Sequence, residues 1–372
     1  MRVLRTLFAS LDWWLVSAVF LLTALGLVTM YTFDGDNSYF NRQLIWIGIA
    51  IVALLVSIIP DYRFLRNGNT TFFIYLGVLL LLVLVLFLGE TVKGAQSRFD
   101  FGFFSLQPSD PAKLALIAVL AKYFSKRHEL IGDFRHILVS GVYALTFFGI
   151  VFIQPDFGSA IILFCIWFGM VLVAGIRFRH LAFVFILGIL AFAFLWQFVF
   201  LDYQKDRILT FLDPLSDIQG TGYNAYQSTI AVGSGQLWGK GVGYGTQSKL
   251  EFLPEYETDF IFAAFAEEWG LIGVGLLFVL FGAVIWRLLS HALYGATNFE
   301  RLFAVGVAIL FISHFTIHIG MNIGLLPVTG TTVPFLSYGG SHLLTEFIGV
   351  GMVLAMARYT KTRYVARELV DS

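Results

Sequence analysis

Long apolar runs separated by short polar stretches dominate the chain. A helix needs about 17 to 25 predominantly apolar residues to cross a hydrocarbon core of about 30 Å. Ten runs meet this description, at approximately 11–33, 43–59, 71–89, 110–125, 136–153, 157–176, 180–201, 259–287, 302–323 and 341–358. The fourth is short and holds Lys113, and the eighth is the longest and holds Glu267 and Glu268. The pattern predicts an all-α polytopic membrane protein, a single transmembrane domain over 1–372 with about ten spanning helices. The first run is too long for a signal core and is followed by further spans, so it is expected to persist as the first helix.

Composition agrees with a bilayer as solvent. Hydrophobic residues make up 58% of the chain and charged residues 13%, with a mean hydropathy of +0.82, against about 25% charged in an ordinary soluble domain. Lys plus Arg and Asp plus Glu both number 24, so no basic excess supports a nucleic-acid partner. Placement carries more than the total. With the N-terminus inside, the cytoplasmic segments hold sixteen basic residues, among them Arg63, Arg66, Lys122, Arg287, Arg301 and Arg358, while the short outer loops hold only Arg42, Lys93 and Arg98. Basic residues in short loops stay cytoplasmic. Both termini are therefore expected inside, and the acidic residues, including Asp34, Asp36, Asp110, Asp156, Asp217, Glu251 and Asp259, gather at the outer edge. Cys165 is the only cysteine, which excludes an internal disulfide and predicts a buried structural thiol.

One outer segment, residues 202–258, is far longer than a connection requires, and such loops are usually functional or disordered. Its aromatic and aliphatic residues predict an ordered extracytoplasmic loop, with a short interfacial helix over 225–232. The run Gly239-Lys240-Gly241-Val242-Gly243-Tyr244-Gly245 resembles a dinucleotide loop, but no strand precedes it. A tight turn or a backbone approach to phosphate remain as readings of it. Ser109 or Asp110 can cap the fourth helix, with Pro111 in its first turn, and Asp156 can cap the sixth. Capping alone accounts for those carboxylates as well as a functional role does. Lys113, about one turn into the fourth helix, would cost roughly 2.5 to 3.5 kcal/mol if left charged in hydrocarbon, so it is expected to pair or to serve a ligand. Asp110, Asp156 and Asp259 are its expected partners.

Four ordered stretches carry a resemblance. They are Gly94-Ala95-Gln96-Ser97-Arg98 with Gln107-Pro108-Ser109-Asp110; Gln154-Pro155-Asp156-Phe157-Gly158; the run from Gly245-Thr246-Gln247-Ser248 through Thr258-Asp259-Phe260-Ile261-Phe262; and Gly324-Leu325-Leu326-Pro327 with Pro334-Phe335-Leu336-Ser337-Tyr338-Gly339-Gly340-Ser341. Together they resemble the SEDS family (shape, elongation, division and sporulation), and Gly-Thr-Gln-Ser favours its RodA branch over the division relative FtsW. The resemblance implies a peptidoglycan glycosyltransferase that polymerises lipid II into glycan strands at the outer face of the bacterial plasma membrane. Its implied partners are a class B penicillin-binding protein and other elongation-complex membrane proteins. It also implies Asp259 as the essential carboxylate, and Arg42, Arg98, Asp110, Lys113 and Asp156 as polar residues lining the substrate cavity. Two departures stand out. Position 110 is Asp where the family usually has Glu, and Ser97 and Phe99 flank Arg98 where Gly-Ala-x-Arg-Trp is common.

Glycosyl transfer gains from a carboxylate that removes the proton of the attacking hydroxyl, worth roughly 10² to 10⁴-fold. Asp259 after Thr258, a reasonable helix cap, is expected in the first turn of the eighth helix, where the dipole favours its ionised form. Arg98, Lys113 and Arg42 are candidates for stabilising the pyrophosphate leaving group, and a divalent cation, Mg or Mn, on that group is a further possibility. Glu267 and Glu268 are expected to make interhelical hydrogen bonds, His314 and His318 to form a packed polar seam with Asn322, and Glu346 to be a buried partner of another polar group. The competing functions are a lipid II flippase and a non-catalytic scaffold.

Overall fold

The structure, a computed structural model, describes residues 11–31, 38–92, 95–102, 104–127, 133–200, 202–213, 222–250 and 252–371. Asp34, Asp36, Lys93, Gly94, Asp217 and Glu251 lie outside the described residues. The elements are α1 Trp13–Tyr31, α2 Ser38–Ile58, α3 Arg63–Asn67, α4 Thr70–Leu88, β1 Glu90–Val92, β2 Ala95–Asp100, β3 Ser105–Leu106, α5 Ser109–Ser125, α6 Phe134–Ile153, α7 Phe157–Ala174, α8 Phe178–Phe198, α9 Asp202–Leu212, α10 Tyr223–Ser234, α11 Thr246–Lys249, α12 Ile261–Leu293, α13 Asn298–Asn322 and α14 Gly340–Asp371.

Among the described residues nine helices are long and apolar enough to cross a membrane. The tenth expected span is α5, whose 17 residues measure about 26 Å at 1.5 Å per residue. Twelve of those 17 are buried, because alanine and aliphatic residues surround α5 and let α4, α7 and α13 close on every side. In α8, by contrast, none of the spanning window is buried. Its Phe185, Ile186, Ile189, Leu190 and Phe194 face outward, an arrangement suited to lipid. Cys165 on α7 is half-buried rather than buried.

Two features differ from the sequence reading. A small antiparallel sheet, ordered β1-β2-β3, joins α4 to α5 where only a loop was expected. The eighth span is also broken, since Gly270 inside α12 has φ 64° and ψ −169°. A break in a membrane helix is tolerated where other protein groups satisfy the freed backbone. The long loop does this directly. Leu271 N donates to Gln236 O (2.9 Å) and Ile272 N to Leu237 O (3.2 Å), while Lys240 N and Gly241 N donate to Glu267 O and Glu268 O at 3.0 Å each. Gly239 sits at φ 76°, and a Cβ there would lie 2.1 Å from Glu268 O. What the glycine run approaches is therefore helix backbone.

At the same junction Glu267 makes the interhelical hydrogen bonds expected of it, to the short loop helices α10 and α11. The fully buried Glu267 carboxylate accepts from Lys240 Nζ (2.6 Å), Thr246 N (3.0 Å) and Gln247 N (3.1 Å), and Glu268 Oε1 accepts from Gly243 N (3.0 Å). Upstream, α10 is longer than the interfacial helix expected and packs on α12 and α13, with Ser228 Oγ donating to Asn322 O at 2.8 Å.

At the opposite end of α12, Asp12 ties the start of α1 to Arg287 (2.7 Å) and His291 (2.8 Å). Burial works against the charge of Asp12, but the bonds to His291 and Arg287 outweigh it and hold this carboxyl well below the usual carboxylate range. Arg358 and Tyr359 donate to Ile59 O at this end, each at 3.1 Å.

Candidate active site

A polar cavity of about 490 Å³ opens at the N-terminal end of α12. Arg42, Arg98, Asp110, Lys113, Asp156 and Asp259, the six residues singled out from the sequence, all line it. They reach it from different elements. Arg42 comes from α2, Arg98 from β2, Asp110 and Lys113 from the first turn of α5, and Asp156 from the N-cap of α7.

Asp259 is the exception to the expected local structure. It lies in a turn two residues before α12, not in the first helical turn, and Thr258 does not cap the helix. The reason is a side chain from elsewhere. Asn322, at the end of α13, offers Oδ1 to Ala263 N (3.2 Å), so it serves a free amide at the start of α12. Its Nδ2 donates to Asp259 O (3.0 Å) and to His318 O (2.8 Å). One buried amide thus fixes both the helix start and the backbone of the carboxylate. Asp259 still immediately precedes the N-terminal end of α12. Facing it is Gly330, where a Cβ would stand 3.4 Å from Asp259 Oδ2.

Neither Ser109 nor Asp110 caps α5, whose N-cap is Pro108 without a side-chain cap bond. Asp110 accepts instead from Lys113 Nζ at 2.9 Å, with both side chains nearly inaccessible. Lys113 therefore pairs at membrane depth. Asp156 does cap, its Oδ1 accepting from Ser159 N (3.0 Å), and its Oδ2 accepts from Gln107 Nε2 (2.8 Å). Its structural role and its place on the cavity wall coexist. Arg98 presents a buried Nε with no hydrogen-bond partner among the described residues.

Sequence reasoning missed Arg207, Glu255 and His342 as lining residues. His342 had a readable signal, its i,i+4 spacing from Glu346, and the two side chains stand 2.7 Å apart. Glu346 is the buried partner expected, also accepting from Phe335 N at 2.9 Å. The seam on α13 is partly different from expectation: Asn322 and His318 are joined, but the imidazoles of His314 and His318 face Thr332 O (3.1 Å) and Thr331 O (2.6 Å) of the segment before α14. Among the described residues no three His, Cys, Asp or Glu side chains converge on a point that could hold a metal.

A many-helix bundle with a polar cavity of carboxylates and cations at one end defines a polytopic membrane protein with one candidate active site. The particular family is equally plain. The family model for cell cycle proteins of the FtsW, RodA and SpoVE type matches residues 4–362, and the chain belongs to that family. Among its relatives, stage V sporulation protein E of Bacillus subtilis is 36% identical over 362 residues, covering 95% of this chain and 98% of the relative. Peptidoglycan glycosyltransferase MrdB of Escherichia coli K12 is 37% identical over 328 residues, covering 88% and 87%. Of solved structures, a chain from a peptidoglycan synthase complex described as coordinating polymerization and crosslinking superposes with TM-score 0.81 at 30% identity, covering 94% of this chain and 98% of that one. The rod shape determining protein RodA of Thermus thermophilus superposes with TM-score 0.70 at 29% identity, covering 94% and 97%.

Proposed function

We infer that the chain is a peptidoglycan glycosyltransferase of the RodA branch, which polymerises lipid II into β-1,4 glycan strands at the outer face of the plasma membrane. The observation that carries this reading is the single cavity in which Asp259 and the cations Arg42, Arg98 and Lys113 meet. A sugar hydroxyl gives its proton to the Asp259 carboxylate as its oxygen attacks the anomeric carbon of the donor. The bond from that carbon to the lipid pyrophosphate breaks, and the leaving oxygen takes the electron pair. Attack opposite an α-linked pyrophosphate inverts the centre, so one displacement suffices without a covalent intermediate. Arg98 and Lys113 stabilise the growing negative charge from fixed positions in a site drier than bulk water.

The basic residues of the Arg287 end support placing that end in the cytoplasm, with both termini, and the Asp259 end outside. A class B penicillin-binding protein is the partner we assign, supported by the similarity to a chain from a synthase complex. The test is polymerisation of defined lipid II by purified wild type and Asp259→Asn, with and without that partner, in detergent, where translocation has no meaning. Asp259→Asn is expected to bind lipid II while making at least 10²-fold less glycan. Comparable product from the variant refutes the role of Asp259, and no product from wild type with its partner refutes the reading itself.

A further inference from the structure

Four ionisable side chains form a cluster on the cavity wall, and the mechanism above uses only one of them. Lys113 Nζ donates to Asp110 Oδ1 at 2.9 Å. His342 Nδ1 stands 3.5 Å from the same oxygen, and His342 Nε2 stands 2.7 Å from Glu346 Oε1, an ion-pair approach in which neither of these last two atoms is aligned for a hydrogen bond. One imidazole therefore meets two carboxylates, one at each ring nitrogen. Both carboxylates stand within ion-pair distance of the ring, so the positive charge of an imidazolium is attracted to each, whereas a neutral ring leaves them uncompensated. Charge counting agrees. Asp110 and Glu346 contribute two negative charges and Lys113 one positive, so an imidazolium brings the cluster to zero. None of the four side chains is more than 12% exposed, and an unbalanced charge at such depth is strongly unfavourable.

The other neighbours leave this count unchanged. His314 of α13 packs its ring 4.7 Å from that of His342. Its Nδ1 faces Thr332 O, which can only accept, so that nitrogen carries hydrogen, and Nε2 has no partner among the described residues. His318 meets Thr331 O in the same way. From α2, Gln43 Oε1 accepts from Gly339 N, and from the α5 side Gln107 N donates to Ser341 Oγ, all uncharged groups. Arg42, Arg98, Asp156 and Asp259 belong to the same cavity wall and face the space that substrate fills.

We propose that His342 is the fourth charge of this cluster and a positioning residue for glycosyl transfer. Its imidazolium compensates Glu346 and shares Asp110, leaving the field of the Lys113 ammonium directed at the substrate pyrophosphate. The proposal rests on the glycosyltransferase reading above. Without the imidazolium, Lys113 faces two carboxylates alone, the cluster becomes net negative, and a pyrophosphate is repelled. One unit charge acting over several ångströms under an effective dielectric of about 20 changes anion affinity on the order of tenfold or more.

The test is lipid II affinity in the Asp259→Asn background, where turnover is at least 10²-fold slower, alongside KM and kcat in the active background. His342→Gln is expected to weaken lipid II binding and raise KM at least tenfold, with kcat within about threefold. Adding Glu346→Gln restores neutrality and keeps an acceptor for Phe335 N, so the double variant is expected to return to within about threefold of wild type. A role in packing would instead make the double variant as weak as the single, or weaker. Unchanged affinity in His342→Gln, or no recovery in the double variant, overturns the proposal. If His342→Gln does not accumulate as folded protein, Glu346→Gln alone decides. It is expected to bind lipid II at least as tightly as wild type, and weaker binding overturns the proposal. Loss of polymerisation by wild type itself would strike the glycosyltransferase reading, because the affinity measurement stands without turnover.

Discussion

Replacing Glu267 by alanine should release the long loop from the break in α12 while leaving the bundle folded. The carboxylate is fully buried and accepts from Lys240 Nζ at 2.6 Å, from Thr246 N and Oγ1 at 3.0 Å each, and from Gln247 N at 3.1 Å. Breaking a buried ion pair from one side destabilises by about 3 to 5 kcal/mol, and orphaned amides add about 1 to 3 kcal/mol each when water cannot reach them. The Lys240 side chain is 30% exposed, so water recovers part of the loss and about 3 kcal/mol is the reasonable figure. That energy corresponds to a local opening about 10²-fold more frequent. Hydrogen exchange of the protein in nanodiscs should then show the amides of residues 240–247 exchanging about 10²-fold faster, with α5 and α13 unchanged. Residues 252–258 continue from this loop into Asp259, so glycan synthesis should fall by a similar factor through misplacement of the carboxylate. Glu267→Gln, which keeps the shape but turns donors toward Lys240 and the two amides, should fall between wild type and alanine. Unchanged protection over 240–247 in Glu267→Ala would refute the view that this carboxylate holds the loop.

Other consequences follow from single contacts. Asn322→Asp keeps the acceptor for Ala263 N but loses the donor to Asp259 O and His318 O and buries a carboxylate against both carbonyls; it should lower the melting temperature and polymerise at least tenfold less glycan, and wild-type turnover would remove Asn322 from the positioning of Asp259. Gly239→Ala puts a Cβ 2.1 Å from Glu268 O at φ 76°, so the loop must leave α12, read as a drop in melting temperature and faster exchange at Lys240 and Gly241. Asp12→Asn should lower the melting temperature at pH 7, since Arg287 and His291 lose their shared carboxylate. The group's folded pKa is depressed, so its contribution is fully present above the unfolded value of about 3.9 and fades as pH falls through the lower folded value. The gap between wild type and variant in melting temperature should therefore not narrow between pH 8 and 5 and should narrow only below about 4; narrowing at pH 6 would contradict it.

The spans were legible because membrane crossing is a property of length and apolar composition, both local quantities. Features made by distant partners were not. Thr258 has the chemistry of a cap, yet Asn322, 63 residues beyond Asp259, takes that role and shifts the helix start past the carboxylate. The break at Gly270 gives no local sign either, since glycine is frequent in membrane helices. It becomes intelligible only when residues 236–241 supply the missing backbone partners. The small sheet escaped notice because its strands of three, six and two residues are too short to show alternation.

The chemistry of the site was legible to a different depth. Charge inside an apolar run demands a partner or a ligand, so Lys113 was conspicuous on energetic grounds, and its pairing with Asp110 at one helical turn is local. Asp259 and Arg98 came from resemblance, and the cavity that joins them arises where β2, α5, α7 and the turn before α12 meet, which no single segment encodes. His342 falls between these cases. Its spacing from Glu346 is readable along one helix, but its second contact, to Asp110, depends on α14 packing against α5. A histidine with one carboxylate neighbour is an ordinary ion pair. A histidine between two, beside a lysine that shares one of them, ties the charge of the binding wall to the state of the imidazole.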